Sequence, residues 1–484
     1  MLTSVHIIGI LLTVGLLLAV SVLAGRRVKD AKSFTTGGTS SSWLVCGALM
    51  STLVSGQSTI GTAQLAFTFG VSAWWFTIGA ALGALLLALF YTRTLRSSGC
   101  VTLSEIIRNA YGPIAERVGS VLCLVGIFIS IVAQVLSTSA MMTSLFHLAF
   151  WVSAALSGVL IMGFVLFGGI RSAGLGGVVK LVLLYISSLA AGGVVWYLGK
   201  GPVHIVGDIS QLLTESSVST VSDFDSLLEV RQRYGNMLAR GAVKDLGGCL
   251  SLALGVLSTQ TYAQCIWSGR SDGAARRGGV LCALFIPLIG AACTLVGMYM
   301  RAHYVTEAEL QQLQVAGVAL PSGVGVIESS AQAFPSFILH HLPPWVGGIV
   351  LGTLFVTILG GASGLSLGAA TIVVRDILPN RWEGKGKLVY YRGCIALLLV
   401  GAVVVSLTVR STFINDLGFL SLGLRATALL LPLSMALFRP GRVKPRWAVA
   451  SMISGVAAML IAKFLVLPAD PIFWGLAAAC ICLL

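Results

Sequence analysis

Apolar runs of about 20 residues, the length that crosses a bilayer's hydrocarbon core, follow one another along the chain with only short polar breaks. Read with loose boundaries they number about thirteen: 4–24, 43–69, 72–92, 118–146, 149–168, 173–198, 242–265, 279–301, 345–374, 390–409, 412–438, 447–467 and 470–484. The joins at 69–72 and 409–412 are the weakest, because the apolar signal hardly falls there. A chain patterned in this way is an all-α integral membrane protein. Only 10% of its residues are charged, against about a quarter in a soluble domain. The first run is longer than a signal-peptide core and ends in Gly-Arg-Arg without a small-residue cleavage site, so it reads as a retained span.

A net charge of +14 invites a nucleic-acid partner, but the basic residues are dispersed in the loops. Arg26, Arg27, Lys29 and Lys32 follow the first run, and Arg93, Arg96, Arg108 and Arg117 the third. Arg171 follows the fifth, and Arg270, Arg276 and Arg277 the seventh. Five cations, from Arg375 to Arg392, follow the ninth, and four, from Arg439 to Arg446, the eleventh. The alternate connections are tight, or long and acid-bearing, as in 199–241 and 302–344. Positive loops face the cytoplasm, which predicts a multi-pass protein of the cell membrane with its N-terminus outside and its C-terminus inside. Eight of the ten cysteines fall in apolar runs without CxxC spacing, as small buried hydrophobes do. The histidines have no metal-ligand spacing. With no phosphate loop, nucleophile elbow or dinucleotide fingerprint, nothing points to an enzyme or a cofactor.

Two apolar runs are interrupted by polar residues and glycine. The second contains Val54-Ser-Gly-Gln-Ser-Thr-Ile-Gly61, and the seventh contains Gly247-Gly-Cys-Leu-Ser-Leu-Ala-Leu-Gly255 followed by Ser258-Thr-Gln-Thr-Tyr-Ala-Gln264. Interruptions at corresponding places in two halves are the sequence sign of discontinuous helices around a transport site. Unwinding there frees backbone carbonyls and half-helix ends for an ion or a polar solute. Close helix packing on glycine is the competing reading of either segment alone.

The order of motifs adds to this. A Ser-Phe-Thr-Thr-Gly-Gly turn (33–38) precedes Ser-Gly-Gln-Ser-Thr-Ile-Gly, then Thr102-Leu-Ser-Glu-Ile-Ile, Phe167-Gly-Gly-Ile-Arg, Ser258-Thr-Gln-Thr-Tyr-Ala-Gln and, in the ninth run, Gly-Leu-Ser-Leu-Gly with Val-Arg-Asp376-Ile. This order resembles the solute:sodium symporter family over nearly the whole chain. The resemblance implies a LeuT-type core of 5+5 inverted repeats, with a first span and loop over 1–42, a first repeat over 43–198, a second over 242–438 and C-terminal spans over 447–484. It also implies a single transporter domain, a monomeric transport unit, and alternating access by rocking one bundle against the rest.

In that family the sodium ion sits between carbonyls at the break of the second span and two hydroxyls with a carbonyl in the ninth. Carried over, the carbonyls are those of Ser51, Val54 and Thr357, while the hydroxyl positions hold Gly360 and Gly361. Glycine supplies no side-chain oxygen. Ser363, or Thr357 through its own hydroxyl, would have to rebuild the site. In the sixth span, where several members place a carboxylate, this chain has Gly177, with Lys180 one turn on. A charge in mid-membrane costs at least ~2.5–3.5 kcal/mol on insertion scales and marks a site or an ion path. Some proton-coupled amino-acid transporters of the same fold have a lysine reaching into the vacant sodium site. The ammonium supplies a positive charge and three donors, and burial shifts a lysine's protonation. A snorkelling lysine and a contact to a substrate carboxylate remain the rival readings.

Gln57 and Ser58 at the first break, and Leu252, Gly255, Val256, Thr259 and Gln260 around the second, are the expected solute contacts. Family members that carry sugars have Asn and aromatic residues where this chain has Leu252, Gly255 and Val256, which disfavours a sugar. Arg425, deep in the eleventh span, needs a partner, and carbonyls of a neighbour are favoured over Asp416. Trp74 and Trp75 read as an interfacial belt, and Lys244 and Asp245 as span-end residues or a gate pair. The sequence thus predicts a secondary transporter for a small organic solute bearing an amine or a carboxylate, with proton coupling or sodium independence through Lys180. Conventional sodium symport and a membrane sensory domain are the alternatives.

Overall fold

The computed structural model describes residues 2–27, 40–100, 102–168, 175–377 and 387–483. The turn at residues 33–38, the stretch 169–174 with Arg171, and the basic residues Arg381 and Lys385 lie outside the described residues. The principal helices are α1 (Ser4–Arg27), α2 (Ser42–Leu53), α3 (Thr62–Phe69), α4 (Trp75–Leu86), α5 (Pro113–Phe146), α6 (Phe150–Gly168), α7 (Leu175–Leu198) and α8 (Ala242–Leu257). They continue with α9 (Gln260–Trp267), α10 (Asp272–His303), α11 (Pro344–Thr371), α12 (Lys387–Thr408), α13 (Ile414–Arg425), α14 (Pro445–Phe464) and α15 (Pro471–Ile481).

Among the described residues, eight helices are long and apolar enough to cross a membrane, or nine with the bent pair α8 and α9 taken as one span. Four shorter apolar helices accompany them. Both weak joins of the hydropathy pattern are real turns. Gly70 adopts φ +58°, a left-handed conformation that disfavours side chains, and breaks the chain between α3 and α4. The second join falls between the end of α12 at Thr408 and the start of α13 at Ile414.

The helices sort into two groups. In one, α10 packs along α2, α3 and α4, and α8 packs on α4. In the other, α5 packs on α6, α11 and α12, and α12 on α6. Small residues permit these approaches, as expected where lipid removes the hydrophobic drive between helices. At the contact of α1 with α11, for example, a Cβ on Gly9 would stand 2.8 Å from Gly348 Cα. Helix α7 bridges the groups by touching α2, α10 and α11, while α13 touches α5 and α8. The long connection 304–343 adds one short parallel strand pair, Tyr304–Thr306 with Gly325–Ile327, and a capping box in which Thr306 and Glu309 satisfy each other's backbone donors.

The two interrupted runs are both broken helices. Helix α2 stops at Val54 (φ −94°, ψ 109°), which still donates to Met50 O. The chain passes Ser55 and Gly56 before a π-helical turn, Gln57–Gly61, leads into α3. A Cβ at Gly56 would come 2.5 Å from Ser137 Cβ, so the break can lie against α5 only because it is glycine. Helix α8 ends at Leu257, Thr259 is extended (φ −112°, ψ 121°), and α9 sets off bent by 51°.

Candidate functional site

Lys180 is 5% exposed, and its ammonium crosses from α7 to the break of α2. Nζ donates to the carbonyl of Ser51 (3.0 Å) and to that of Thr357 on α11 (3.4 Å). These are two of the three carbonyls assigned to the ion position. The third, Val54, has no bond to Nζ among the described residues. Gly360 faces the amine, and a Cβ there would lie 3.3 Å from Nζ. Gly361 instead faces the break, where a Cβ would lie 2.8 Å from Ser55 Cβ. The hydroxyls that could replace the missing pair are turned onto their own helix. Thr357 donates to Thr353 O (2.7 Å), Ser363 to Gly360 O (2.9 Å) and Ser366 to Ala362 O (2.8 Å).

The break is held by Gln134 of α5, which accepts from Gly56 N–H (3.2 Å) and donates to Ser55 Oγ (2.8 Å). Non-helical backbone at membrane depth needs such a partner. Nothing in the family resemblance directed attention to Gln134, although a lone amide in the apolar run Ile131–Leu136 was a usable signal.

A cavity of about 20 Å³, room for roughly one water, lies beside this break between α4, α5, α8 and α13. Gln57 and Leu252 line it as expected, together with Thr52, Phe76, Tyr262 and Arg425. The other expected solute contacts point elsewhere. Ser58 donates to Leu53 O (3.0 Å), Gly255 packs against Leu422, and Val256 fills the space left by Gly83. Thr259 donates to Gly255 O (2.7 Å), while Gln260 accepts from the N–H of Leu103 (2.7 Å) at the start of the short helix Leu103–Tyr111.

Arg425 is 1% exposed. Its Nε donates to Ser421 O (3.2 Å), Nη1 to Thr259 Oγ1 (3.2 Å), and Nη2 to Ser130 Oγ (2.9 Å) and Ser421 Oγ (2.7 Å). The expected neighbour carbonyls are replaced by hydroxyls. Asp416 pairs with Arg240 instead, whose guanidinium also lies over the Phe69 and Phe419 rings. Asp245 accepts from Arg240 N–H (3.1 Å), and no ion pair joins it to Lys244 among the described residues. Trp74 and Trp75 donate their indole N–H groups to Pro287 O and Met237 O, each at 2.7 Å. They pin the turn after α3 to the protein.

Two broken helices meeting beside a small cavity, with the carbonyls of Ser51 and Thr357 converging on one buried amine near the first break, form the geometry of a carrier. A model of the sodium:solute symporter family matches residues 34–455. The chain belongs to the sodium:solute symporter family. Sodium:solute symporters are transporters, so the protein is a multi-pass membrane carrier and not an enzyme. High-affinity choline transporter 1 of Torpedo marmorata is 24% identical over 438 residues, which cover 86% of this chain and 70% of that protein. A substrate-bound, outward-open Na+-coupled sialic acid symporter superposes with a TM-score of 0.69 at 16% identity, over 99% of this chain and 97% of that one. The inward-facing conformation of Mhp1 superposes with a TM-score of 0.53 at 11% identity, over 91% and 88% of the two chains. The fold is the LeuT type.

Proposed function

We propose that this sodium:solute symporter moves a small organic solute without a sodium ion at the position between α2 and α11, where the Lys180 ammonium takes the ion's place. The observation that carries the reading is the pair of bonds from Nζ to Ser51 O and Thr357 O. A sodium ion at this position would compete for the same carbonyls, would meet no side-chain hydroxyl at Gly360 or Gly361, and would lie beside a cation. The protonated amine has three donors and the neutral amine two. Both carbonyls can therefore be satisfied in either state, which fits a lysine that gains and loses a proton during transport. The orientation follows the loop charges, with the N-terminus outside, the C-terminus in the cytoplasm and the transport unit a single chain.

The choline relative suggests a quaternary ammonium solute. Such ligands are held in cages of several aromatic faces, whereas this cavity has Phe76 and Tyr262 beside a guanidinium. Leu252 in place of a polar group disfavours a sugar. Conventional sodium symport would have to draw on the hydroxyl oxygens of Thr357 and Ser363, which donate to Thr353 O and Gly360 O and keep their lone pairs for a cation.

The test is direct binding of radioactive sodium to the purified protein at constant ionic strength in potassium or N-methylglucamine buffer. Wild type is expected to show no saturable binding. Saturable sodium binding by wild type that Lys180→Ala leaves unchanged would overturn the proposal.

A further inference from the structure

We infer that the solute carries a carboxylate and that Arg425, with Gln57, is its anchor; this rests on the cavity being the solute site, as proposed above. Arg425 is a cation at the centre of the helix bundle, and none of its protein partners is charged. Its four bonds go to one carbonyl and three hydroxyl oxygens. The four ion pairs among the described residues are Arg96–Asp272, Arg108–Glu116, Arg240–Asp416 and Arg301–Glu309. Arg425 belongs to none of them. An intramembrane arginine without a counter-charge is costly to keep, and hydroxyls solvate its charge without neutralising it.

Donor accounting then gives the ligand's shape. A guanidinium has five N–H groups, four of which are engaged here, and the remaining one is on Nη1. Gln57 lines the same cavity, is 6% exposed, and its Nε2 has no hydrogen-bond partner. A buried amide donor left unmade is costly. The unspent guanidinium hydrogen and the two hydrogens of the unpartnered Gln57 Nε2, on residues that line one cavity, together offer three donors and one positive charge. A carboxylate is the small group that accepts at two oxygens and supplies one negative charge. A neutral amide supplies the acceptor without the charge, and an ammonium ion supplies neither. The apolar part of the remaining wall, Leu53, Phe76, Ala80, Leu252, Leu365 and Leu422, suits a short apolar body behind that head group, while Thr52, Ser55, Ser130, Gln134 and Tyr262 complete the lining with polar groups. At its present volume the cavity must widen to admit it, as alternating access requires.

The test uses purified full-length protein in lipid nanodiscs, in sodium-free potassium buffer at one pH, so that its outcome is independent of ion coupling. The probes are straight-chain carboxylates from acetate to hexanoate, benzoate and the apolar amino acids, with the matched primary amides and alkylammonium ions. The readout is the shift in thermal unfolding temperature with concentration. Carboxylates are expected to stabilise the protein at concentrations about tenfold or more below those of their amides, the ratio expected when a hydrogen bond to a charged group is lost. Alkylammonium ions are expected to give no shift. Arg425→Gln should erase the preference for carboxylate over amide, and Arg425→Lys, which keeps the charge and loses the fork, should retain it at reduced affinity. No shift with any carboxylate, a larger shift with ammonium ions, or a monodisperse Arg425→Gln protein that still prefers carboxylates would each overturn the assignment. If Arg425→Gln does not fold, the wild-type panel and Arg425→Lys decide. The sodium-binding experiment uses no solute, so failure of either reading is seen separately.

Discussion

Lys180 Nζ lies 3.0 Å from the carbonyl oxygen of Ser51, a residue 129 positions earlier in the chain and on another helix. The contact spans the two groups of helices, because Ser51 is one turn before the break of α2 and Thr357, the second acceptor, is on α11. The two glycines opposite it do different things. At Gly360 an added methyl would meet only the flexible end of Lys180, and at Gly361 it would press on Ser55 at the break. Gly361→Ala is therefore expected to destabilise by about 1–3 kcal/mol, the usual cost of overpacking. Gly360→Ala should cost less than this, because the added methyl meets only the movable end of Lys180 at 3.3 Å, while alanine's helix-propensity gain of ~1 kcal/mol is common to both sites. Thermal unfolding of the two purified variants in one detergent checks the order. Equal midpoints would show that the break is not tightly packed.

Gln134 carries the second prediction. Replacing it by leucine leaves the Gly56 N–H and the Ser55 hydroxyl without their partner, and each unsatisfied buried group costs about 1–3 kcal/mol. Gln134→Leu should lower stability by at least the smaller figure. It should also speed hydrogen exchange at the Gly56 amide while leaving α12 and α14 unaffected. Protection at Gly56 equal to wild type would place the support of the break elsewhere.

Much of this arrangement was legible in the residues. The interrupted runs at Ser55-Gly56 and Ser258-Thr259 are where α2 and α8 end, since glycine and short hydroxyl residues weaken a helix that the membrane otherwise enforces. The approach of Lys180 to Ser51 and Thr357 was implied by the family resemblance, which assigned those carbonyls to the ion position; the charge in an apolar run marked only that Lys180 needed a partner. What spacing could not give was rotamer and helix rotation. Ser58, Val256 and Gln260 sit near the breaks in sequence, yet a hydroxyl can bond its own helix at i−4 or i−5, and a rotation of one helical position exchanges lining for packing. Arg425 was visible as an intramembrane cation. Its hydroxyl partners on α5 and at Thr259 were hidden because they depend on which helices become neighbours.

The third prediction concerns Arg240 and Asp416, which close the bundle at the end where α8 and α13 begin. The Arg240 side chain is 3% exposed and that of Asp416 17%. Removing one member of a buried pair leaves an unpaired charge, at a cost of about 3–5 kcal/mol. Asp416→Asn should lower the unfolding midpoint and raise hydrogen exchange in the first turns of α8 and α13, while Lys244→Ala should change neither much because Lys244 is exposed. A neutral outcome for Asp416→Asn would mean that Arg240 is held by the Phe69 and Phe419 rings alone.

The last prediction is a pH effect in the 304–343 connection. His341 stacks on Phe337, packs edge-on against Tyr299 and has Nε2 3.3 Å from Tyr304 Oη. Burial foremost, then the neighbouring His303 and His340, pushes its pKa down from the ordinary 6.5 to about 4. Between those two values the unfolded chain binds a proton that the folded chain does not, so stability falls as pH falls through that window. The slope attributable to this group is at most ~1.4 kcal/mol per pH unit, and the loss levels off below about 4. His341→Phe keeps a flat ring against Phe337 and removes the titration. It forgoes the Tyr304 bond, which is worth about 1 kcal/mol. The variant should therefore be slightly less stable than wild type at pH 8 and should lose less stability between pH values near 6.5 and 4. The carboxylates that also titrate at the acid end are common to both proteins and cancel in the difference. Unfolding midpoints of the pair across this range decide it, and parallel curves would show that His341 titrates as an exposed histidine does.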